Sequence, residues 1–556
     1  RDAVGSAWYF ALLSSPKTHA RNFFGNALTT MLRPFELSVA ARMPGATEVK
    51  RGEATASMFG LMNGFVRALR YSKENEKNGT VWQALSTGQS GIGIGKIDQP
   101  MIGGFDPEKL GVEPGTVQYY LASFMNGLTQ IPGRALTTAD ELFKTMNFDM
   151  EVHRLAFLEV DNLVRTKKLP EAQRQEKLYE LTNNPEEYMR LQAKSKAERQ
   201  TFTDEPEDTG FYKAWRGLGN APVIGKIVAP FQRTPYNIGL YTFERTPLAP
   251  VVKRYRDNID AGGARAEMAI AQQVTGTTMM LVAADMVMNG SITGEGPVDP
   301  QERREWLLTH KPYSIRWQDP DTGEWEHVSY RGLEPVGSII SLAATVTEIL
   351  QHTEEDELDP DVFELVTATT MAVASSMTVQ SYMSGVADFF EMMNDPYKEA
   401  ERWSQRIVGS FAVPAAVRDI AYMQDPVLRH ASSMADAVKA RIPGLSKTLP
   451  ARLDRFGNER TRRSDLGPVY DAVSPFYKNT IKPKPIDNEM ARLGMNFRLP
   501  SGRQNFKVGL GGMGGSLDVK LKDRYPAAYY RFVQLYGQDV KTGQYGEPIS
   551  ASGFIS

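Results

Sequence analysis

Between Thr138 and Val164 the apolar residues are spaced as only a helix can use them. Val152, Leu155, Ala156, Val160, Leu163 and Val164 recur at steps of three and four. Thr138 and Glu141 have the spacing in which a hydroxyl and a carboxylate cap a first turn reciprocally. One long amphipathic helix is predicted over 139–168. Three Ser/Thr-Pro steps, Ser15-Pro16, Thr234-Pro235 and Thr246-Pro247, read as further helix starts, because the hydroxyl accepts an orphan amide and proline needs none. The first of these helices is expected to run from 16 to 32 and stop before Pro34. Residues 171–200 resemble a solvated helical hairpin broken at Pro185.

Strand signals are few. YSIRWQ (313–318) and EWEHVSY (324–330) alternate aromatic and polar residues about Asp319-Pro-Asp-Thr-Gly323, which predicts a hairpin. Beyond Pro443, clustered prolines, Gly511-Gly512 and Gly514-Gly515 point to an extended, loop-rich segment. The fold class is therefore mainly α: a multi-lobed helical protein with a small β-hairpin insertion and an extended, loop-rich C-terminal segment. The expected divisions are an N-terminal helical lobe (1–105), a long-helix lobe (106–205), a Pro-punctuated region with the hairpin (206–335), small-residue apolar helices (336–400) and a basic segment (401–556).

With 556 residues, 41% hydrophobic and 23% charged, the chain has ample material for buried cores. It contains no cysteine, which excludes disulfides, thiolate metal sites and a cysteine nucleophile. The six histidines include no helical i, i+4 pair, so no metal site is predicted. Arg1 stands where a Met would start a chain, and no secretory leader follows, so the sequence reads as a segment of something longer.

No catalytic or cofactor constellation is predicted either. Gly95-Lys96 and Gly225-Lys226 lack the earlier glycine of a phosphate loop, having Ser90 and Asn220 there. Gly509, Gly511 and Gly514 match dinucleotide-fingerprint spacing, but no βαβ pattern surrounds them, and a flexible loop is expected. Ser90 is followed by Gly91 and Ile92 rather than the second spaced glycine of a nucleophile elbow. Gly127-Leu-Thr-Gln130 resembles the Gly-Leu-Met-Gln motif of lytic transglycosylases, with Glu113 at the distance of the catalytic acid. Pro114 follows where that family has Ser, so the reading is a helix-terminating turn, with peptidoglycan cleavage as the alternative.

Charge is uneven. The net charge is −2, yet residues from 401 onward carry 24 Lys+Arg against 14 Asp+Glu. Within this basic lobe Arg452, Arg455, Arg460, Arg462 and Arg463 cluster around Phe456 and are the candidate DNA contacts. Asp454, Glu459 and Asp465 dilute the patch, so pairing within the chain competes with phosphate contact. Any DNA binding is expected to be sequence-independent and steeply salt-dependent. Elsewhere, 274–290, 336–350 and 365–387 are apolar and rich in small residues. The last is 23 residues without a charge, about 34 Å as a helix. Its Thr, Ser and Gln content favours a packed seam or conduit lining over a lipid-facing span. Ala368, Ala372, Ser375, Ser376, Ser384 and Gly385 are the candidate packing positions.

Four stretches carry a resemblance: Ser15-Pro-Lys-Thr-His-Ala-Arg-Asn22 with Gly25-Asn26; Arg134-Ala-Leu136 leading to Asp140-Glu-Leu-Phe-Lys144; Pro230-Phe-Gln-Arg-Thr-Pro-Tyr-Asn-Ile238 continued by Glu244-Arg-Thr-Pro-Leu248; and the hairpin followed by Leu333-Glu-Pro-Val-Gly337. In the second motif Thr138 is the expected cap; in the third, Phe231 and Tyr236 are the expected anchors and Thr234 the cap. Together they resemble the large polyvalent-protein-associated regions of tailed phages and the internal virion (ejection) proteins of short-tailed phages. The resemblance implies a non-catalytic homo-oligomer carried in the capsid interior or tail lumen. It would meet portal, tail or other ejection proteins, help form a conduit for phage DNA, and reach the host periplasm, envelope or membrane on ejection. A scaffold region of a giant virion RNA polymerase chain is a further alternative.

Overall fold

The computed structural model describes residues 2–71, 79–92, 105–207, 209–220, 225, 231–297, 299–351, 384–431, 433–453, 458–462, 464–481, 504–510, 513–519 and a few positions beyond. They are mainly helical, as the capping and periodicity signals require. The helices run α1 (Asp2–Leu13), α2 (Pro16–Ala40), α3 (Arg51–Leu69), α4 (Thr80–Thr87), α5 (Val117–Arg165), α6 (Arg174–Asn183), α7 (Glu187–Gln200), α8 (Gly210–Gly219) and α9 (Arg233–Phe243). They continue as α10 (Lys253–Asp260), α11 (Gly263–Met288), α12 (Pro300–Trp306), α13 (Val336–Gln351), α14 (Ser384–Asn394), α15 (Pro396–Ala412), α16 (Ala415–Gln424), α17 (Met434–Lys439) and α18 (Pro468–Val473). The chain divides into two compact units. One comprises 1–295, 313–315 and 329–395, the other 296–312, 316–328 and 396–556.

Helix α5 is the spine of the first unit, with α1, α2, α3, α4, α6 and α7 packed against it. The sequence signals place its start wrongly. It begins at Val117, where the Thr116 hydroxyl accepts the Tyr119 amide (3.1 Å), and it runs straight through Pro132 and Thr138. Thr138 is no cap; its hydroxyl donates back to the Arg134 carbonyl at 2.7 Å. Helix α2 likewise continues past Pro34 to Ala40. In both helices tertiary packing outweighs the hydrogen bond that proline removes. Thr234 is also not a cap, because α9 starts one residue earlier with Gln232 at its N-cap. Phe231 and Tyr236 do anchor that stretch: Phe231 meets the Tyr9 ring edge-on (5.3 Å), and the Tyr236 hydroxyl pairs with that of Thr209 (3.1 Å).

Helices α3 and α5 of the first unit approach each other closely. A Cβ at Gly60 would lie 2.4 Å from the Asp149 carbonyl oxygen, and one at Gly64 would lie 2.6 Å from the Met146 Cα. Backbone therefore touches backbone, at a Gly-x-x-x-Gly spacing that puts both glycines on one helix face. In the same unit α11 packs against α2 and α13, and Val287, Ile292, Tyr313, Tyr330 and Ala344 form one core cluster. The hairpin forms as expected, as β1 (Ser314–Gln318) and β2 (Trp325–Ser329).

In the second unit the hairpin gains a third strand, β3 (Lys478–Ile481), antiparallel to β2 with Trp325 opposite Ile481 and Val328 opposite Lys478. The expected flexible Gly-rich loop is instead an antiparallel pair, β4 (Gln504–Leu510) with β5 (Met513–Val519), in which Gly509 faces Gly514. Its two glycines lie in paired strands rather than opening a helix, which removes the dinucleotide reading on geometry. Two short strands, β6 (Lys541–Thr542) and β7 (Pro548–Ile549), pair farther on.

Two predictions follow from this packing. Gly64→Ala must push backbone atoms apart, so denaturant unfolding should show about 1–3 kcal/mol of lost stability, whereas Ala at exposed Gly127, with nothing within 4 Å, should show almost none. The second concerns His327, which is 1% exposed on β2. Burial, then the nearby charge of Arg316, pushes its pKa down to about 4. Between about 4 and the ordinary value of 6.5 the unfolded chain binds a proton that the native state does not, so stability falls as pH drops through that window. Wild type should therefore lose melting temperature faster than His327→Gln between pH 6.5 and 4.5; parallel curves would contradict this.

Candidate functional site

The second unit holds an arginine-lined cleft of about 700 Å³. Among the described residues, seven arginines line it, Arg402, Arg406, Arg429, Arg441, Arg452, Arg460 and Arg462, and no carboxylate does. Helix periodicity brings the first two together: Arg402 and Arg406 are one turn apart on α15. Arg441 follows α17 and lies against Gly409 of α15, where a Cβ would be 3.0 Å from its guanidinium. It donates to the Ser410 hydroxyl at 2.7 Å.

Three short extended segments build the opposite wall. The amide of Leu428 donates to the Arg460 carbonyl (2.8 Å), that of Arg460 to the Arg452 carbonyl (2.9 Å), and that of Arg452 to the Leu428 carbonyl (2.6 Å). This closed ring of three backbone bonds fixes Arg452 beside Arg460. Arg462, two residues on, falls on the same side of an extended chain; its guanidinium lies over the Tyr422 ring at 4.2 Å. Below the ring, Ala451 and Leu453 form a small core with Val427 and Tyr529.

Two arginines of the cleft are already matched. Arg429 makes a two-pronged bond to Asp425 (2.9 Å each), and Arg402 donates to Glu399 at 2.8 Å. Burial would raise the Asp425 pKa, but bonds from Arg429 and Ser446 hold it below the ordinary carboxylate value. Arg452 and Arg460 have no carboxylate partner among the described residues, and they stand exposed at the cleft. Burial of its stem, then the charges of Arg462, Arg460 and Arg402, lower the pKa of Arg452. The cations repel one another across the cleft.

Of the sequence-derived DNA contacts, the structure therefore brings Arg452, Arg460 and Arg462 together, while Arg455 and Arg463 lie outside the described residues. Asp465, expected to dilute the patch, instead accepts the Thr480 hydroxyl (2.6 Å). Sequence reading missed Arg402, Arg406, Arg429 and Arg441; the i, i+4 pair on α15 was the available signal. Among the packing candidates Ala368, Ala372, Ser375 and Ser376 also lie outside the described residues, and Ser384 and Gly385 open α14. No described helix is long and apolar enough to cross a membrane. Glu113 sits exposed in the turn before α5, its carbonyl accepting the Thr116 hydroxyl (2.8 Å), and Gln130 lies inside α5, bonded to Arg134. Among the described residues, no group of three or more His, Asp or Glu is placed to hold a metal.

The first unit contains a smaller polar cavity of about 190 Å³, lined in part by Arg33, Glu151, Arg154, Lys196, Tyr241 and Arg245. Its charges hold helices together. Arg245, 2% exposed, pairs with fully buried Glu36 at 2.6 Å and lies 3.3 Å over the Tyr241 ring. Arg154 bridges Glu53 (2.7 Å) and Glu151 (2.5 Å); burial works against ionisation of Glu151, but Arg154 brings its pKa down to about 2.

Searches of family models, of curated proteins and of solved structures find no match to this chain.

Removing one member of a buried ion pair strands the other, at a cost of about 3–5 kcal/mol. Arg245→Met should show a loss of that size in chemical denaturation, and adding Glu36→Gln should restore part of it. No recovery in the double variant would show that Arg245 acts through packing alone.

Proposed function

We propose that this chain is a structural virion protein of a phage, ejected with the genome, that works by assembling with further copies and with portal, tail or other ejection proteins to pass DNA across the host envelope. The observation that supports assembly best is the inside-out composition of α3. Its buried residues include Ala54, Ser57, Gly60, Gly64 and Ala68, whereas Met58, Phe59, Met62, Phe65 and Val66 point outward. Phe59, Met62 and Val66 are 63–68% exposed. A monomer has no use for such a row in water, and contiguous exposed apolar surface of this kind marks an interaction face. Val117, Tyr120, Leu121 and Phe124 extend the same character to the first turns of α5.

From Met58 to Val66 the helix carries no charged residue, which suits a self-complementary contact between identical copies. In this reading the chain is not an enzyme, and its DNA contact is sequence-independent, supplied by the arginines of the second unit. Localisation in the capsid interior or tail lumen, and in the host envelope after ejection, belongs to the same proposal.

Sedimentation of the purified chain tests it. Self-association is expected, and Phe59→Ser with Met62→Ser should lower it at least tenfold while the helical circular dichroism is retained. A strictly monomeric wild type at high micromolar concentration would defeat the proposal.

A further inference from the structure

The arginine-lined cleft asks for a particular kind of ligand, whether or not the chain assembles as proposed. Three features define it. Its volume, about 700 Å³, is that of a small-ligand site, so the occupant is a compact group and not a duplex. Its described lining offers cations from two parts of the chain, Arg402, Arg406 and Arg441 from one and Arg452, Arg460 and Arg462 from the other, with no acid among the described lining residues. A single monovalent anion would leave most of that charge unanswered. Guanidinium forks match phosphate oxygens two at a time, and a run of phosphates presents them to both groups of arginines at once.

The third feature is aromatic. Tyr422 and Tyr529 are also part of the lining, and a tyrosine ring gives a base or a guanidinium a flat surface to stack on. Tyr422 already carries Arg462 in this way. The ring of backbone bonds among Leu428, Arg452 and Arg460 sets the backbone positions from which Arg452 and Arg460 project side by side. Burial first, and then the charges of neighbouring arginines, lower the pKa values of Arg452 and Arg441, and a phosphate beside them offsets that repulsion.

We propose that this cleft binds a compact ligand bearing two or more phosphate groups in succession, linked directly as in a free nucleoside polyphosphate or through a sugar as at the 5′-phosphorylated end of a single nucleic-acid strand. The proposal rests on the cleft and not on the virion reading, which stands or falls separately on self-association. Arg452 and Arg460 are its principal phosphate ligands, Arg462 and Arg441 close on the next phosphate, and Arg429 serves as a positioning residue tied to Asp425.

Calorimetric titration of the full chain at low salt tests it, with inorganic tripolyphosphate, ATP and a 5′-phosphorylated single-stranded oligonucleotide as probes and orthophosphate as the comparison. Tripolyphosphate is expected to saturate one site per chain and to bind at least tenfold more tightly than orthophosphate. Arg452→Gln with Arg460→Gln should weaken it at least tenfold. Arg70→Gln with Lys109→Gln, the same charge loss at exposed positions of the first unit, should change it less than twofold. Tighter binding of ATP than of tripolyphosphate identifies the free nucleotide as the source; tighter binding of the oligonucleotide identifies the strand end. If the double arginine variant loses helicity, Arg462→Gln replaces it, with the same expected direction. No saturable tripolyphosphate binding, or equal losses from the two charge-matched variants, would overturn the proposal.

Discussion

The first unit depends on matching charge inside a helix interface. Helix α5 turns Asp140, Lys144, Asp149, Glu151 and Arg154 toward its neighbours instead of a purely apolar stripe. Each acid there needs a cation at a set height along the axis, since a buried charge without a partner costs far more than a lost apolar contact. Asp140 finds Lys144 one turn on at 2.9 Å, and Asp149 is reached by Arg67 of α3 at 2.5 Å; Arg154 ties Glu151 to Glu53 of α3. Burial still dominates at Asp149, raising its pKa to about 6 despite Arg67. These pairs set the register of α3 on α5, and the glycine contact at 60 and 64 sets their distance. Neither alone fixes the interface.

This explains which parts of the fold were legible from sequence. Elements governed by local rules were visible: the hairpin about Asp319–Gly323, the break at Pro185 between α6 and α7, and the anchoring of Phe231 and Tyr236. The errors all fall where long-range packing overrides a local signal. Pro34 was read as a boundary and lies within a helix; Thr138 and Thr234 were read as caps and lie inside the first or later turns. A cap rule compares a helix start with water. It carries no information about α3 and α7 pressing on the segment from the side.

The candidate site shows the same division. The run Arg452 to Arg463 is visibly basic in the linear chain, and nearby acids argue for neutralisation. In three dimensions one of those acids, Asp465, turns to Thr480 instead, while Asp425 binds Arg429 and Ser446. The cations that complete the cleft come from α15, about fifty residues earlier in the chain, and from Arg441 just beyond α17. Spacing within a motif cannot reveal a wall contributed by another element. What the sequence did carry, unused, was the arginine pair one turn apart on α15 and a glycine, Gly409, one turn beyond it.

Small-residue helices tie these strands together. Sequence reading took small residues as a sign of close helix packing, and α11 bears this out within a single chain: a Cβ at Gly276 would lie 2.0 Å from the Arg245 carbonyl oxygen, with Ala271 and Thr275 buried beside it. The same helix leaves Leu281, Val282 and Met288 55–67% exposed. Thus α3 and α11 share one arrangement, small residues inward and large apolar residues outward. An ordinary surface helix has the reverse, because burying a large side chain contributes about 1.5–3 kcal/mol and burying glycine contributes almost nothing. A sequence selected only for the stability of the isolated chain would not place Phe59 and Leu281 outside and Gly60 and Gly276 inside. Under the proposed assembly the outer rows would meet a second copy, and each helix would then be buried twice, once by its own unit through backbone contact and once by that copy through its large side chains.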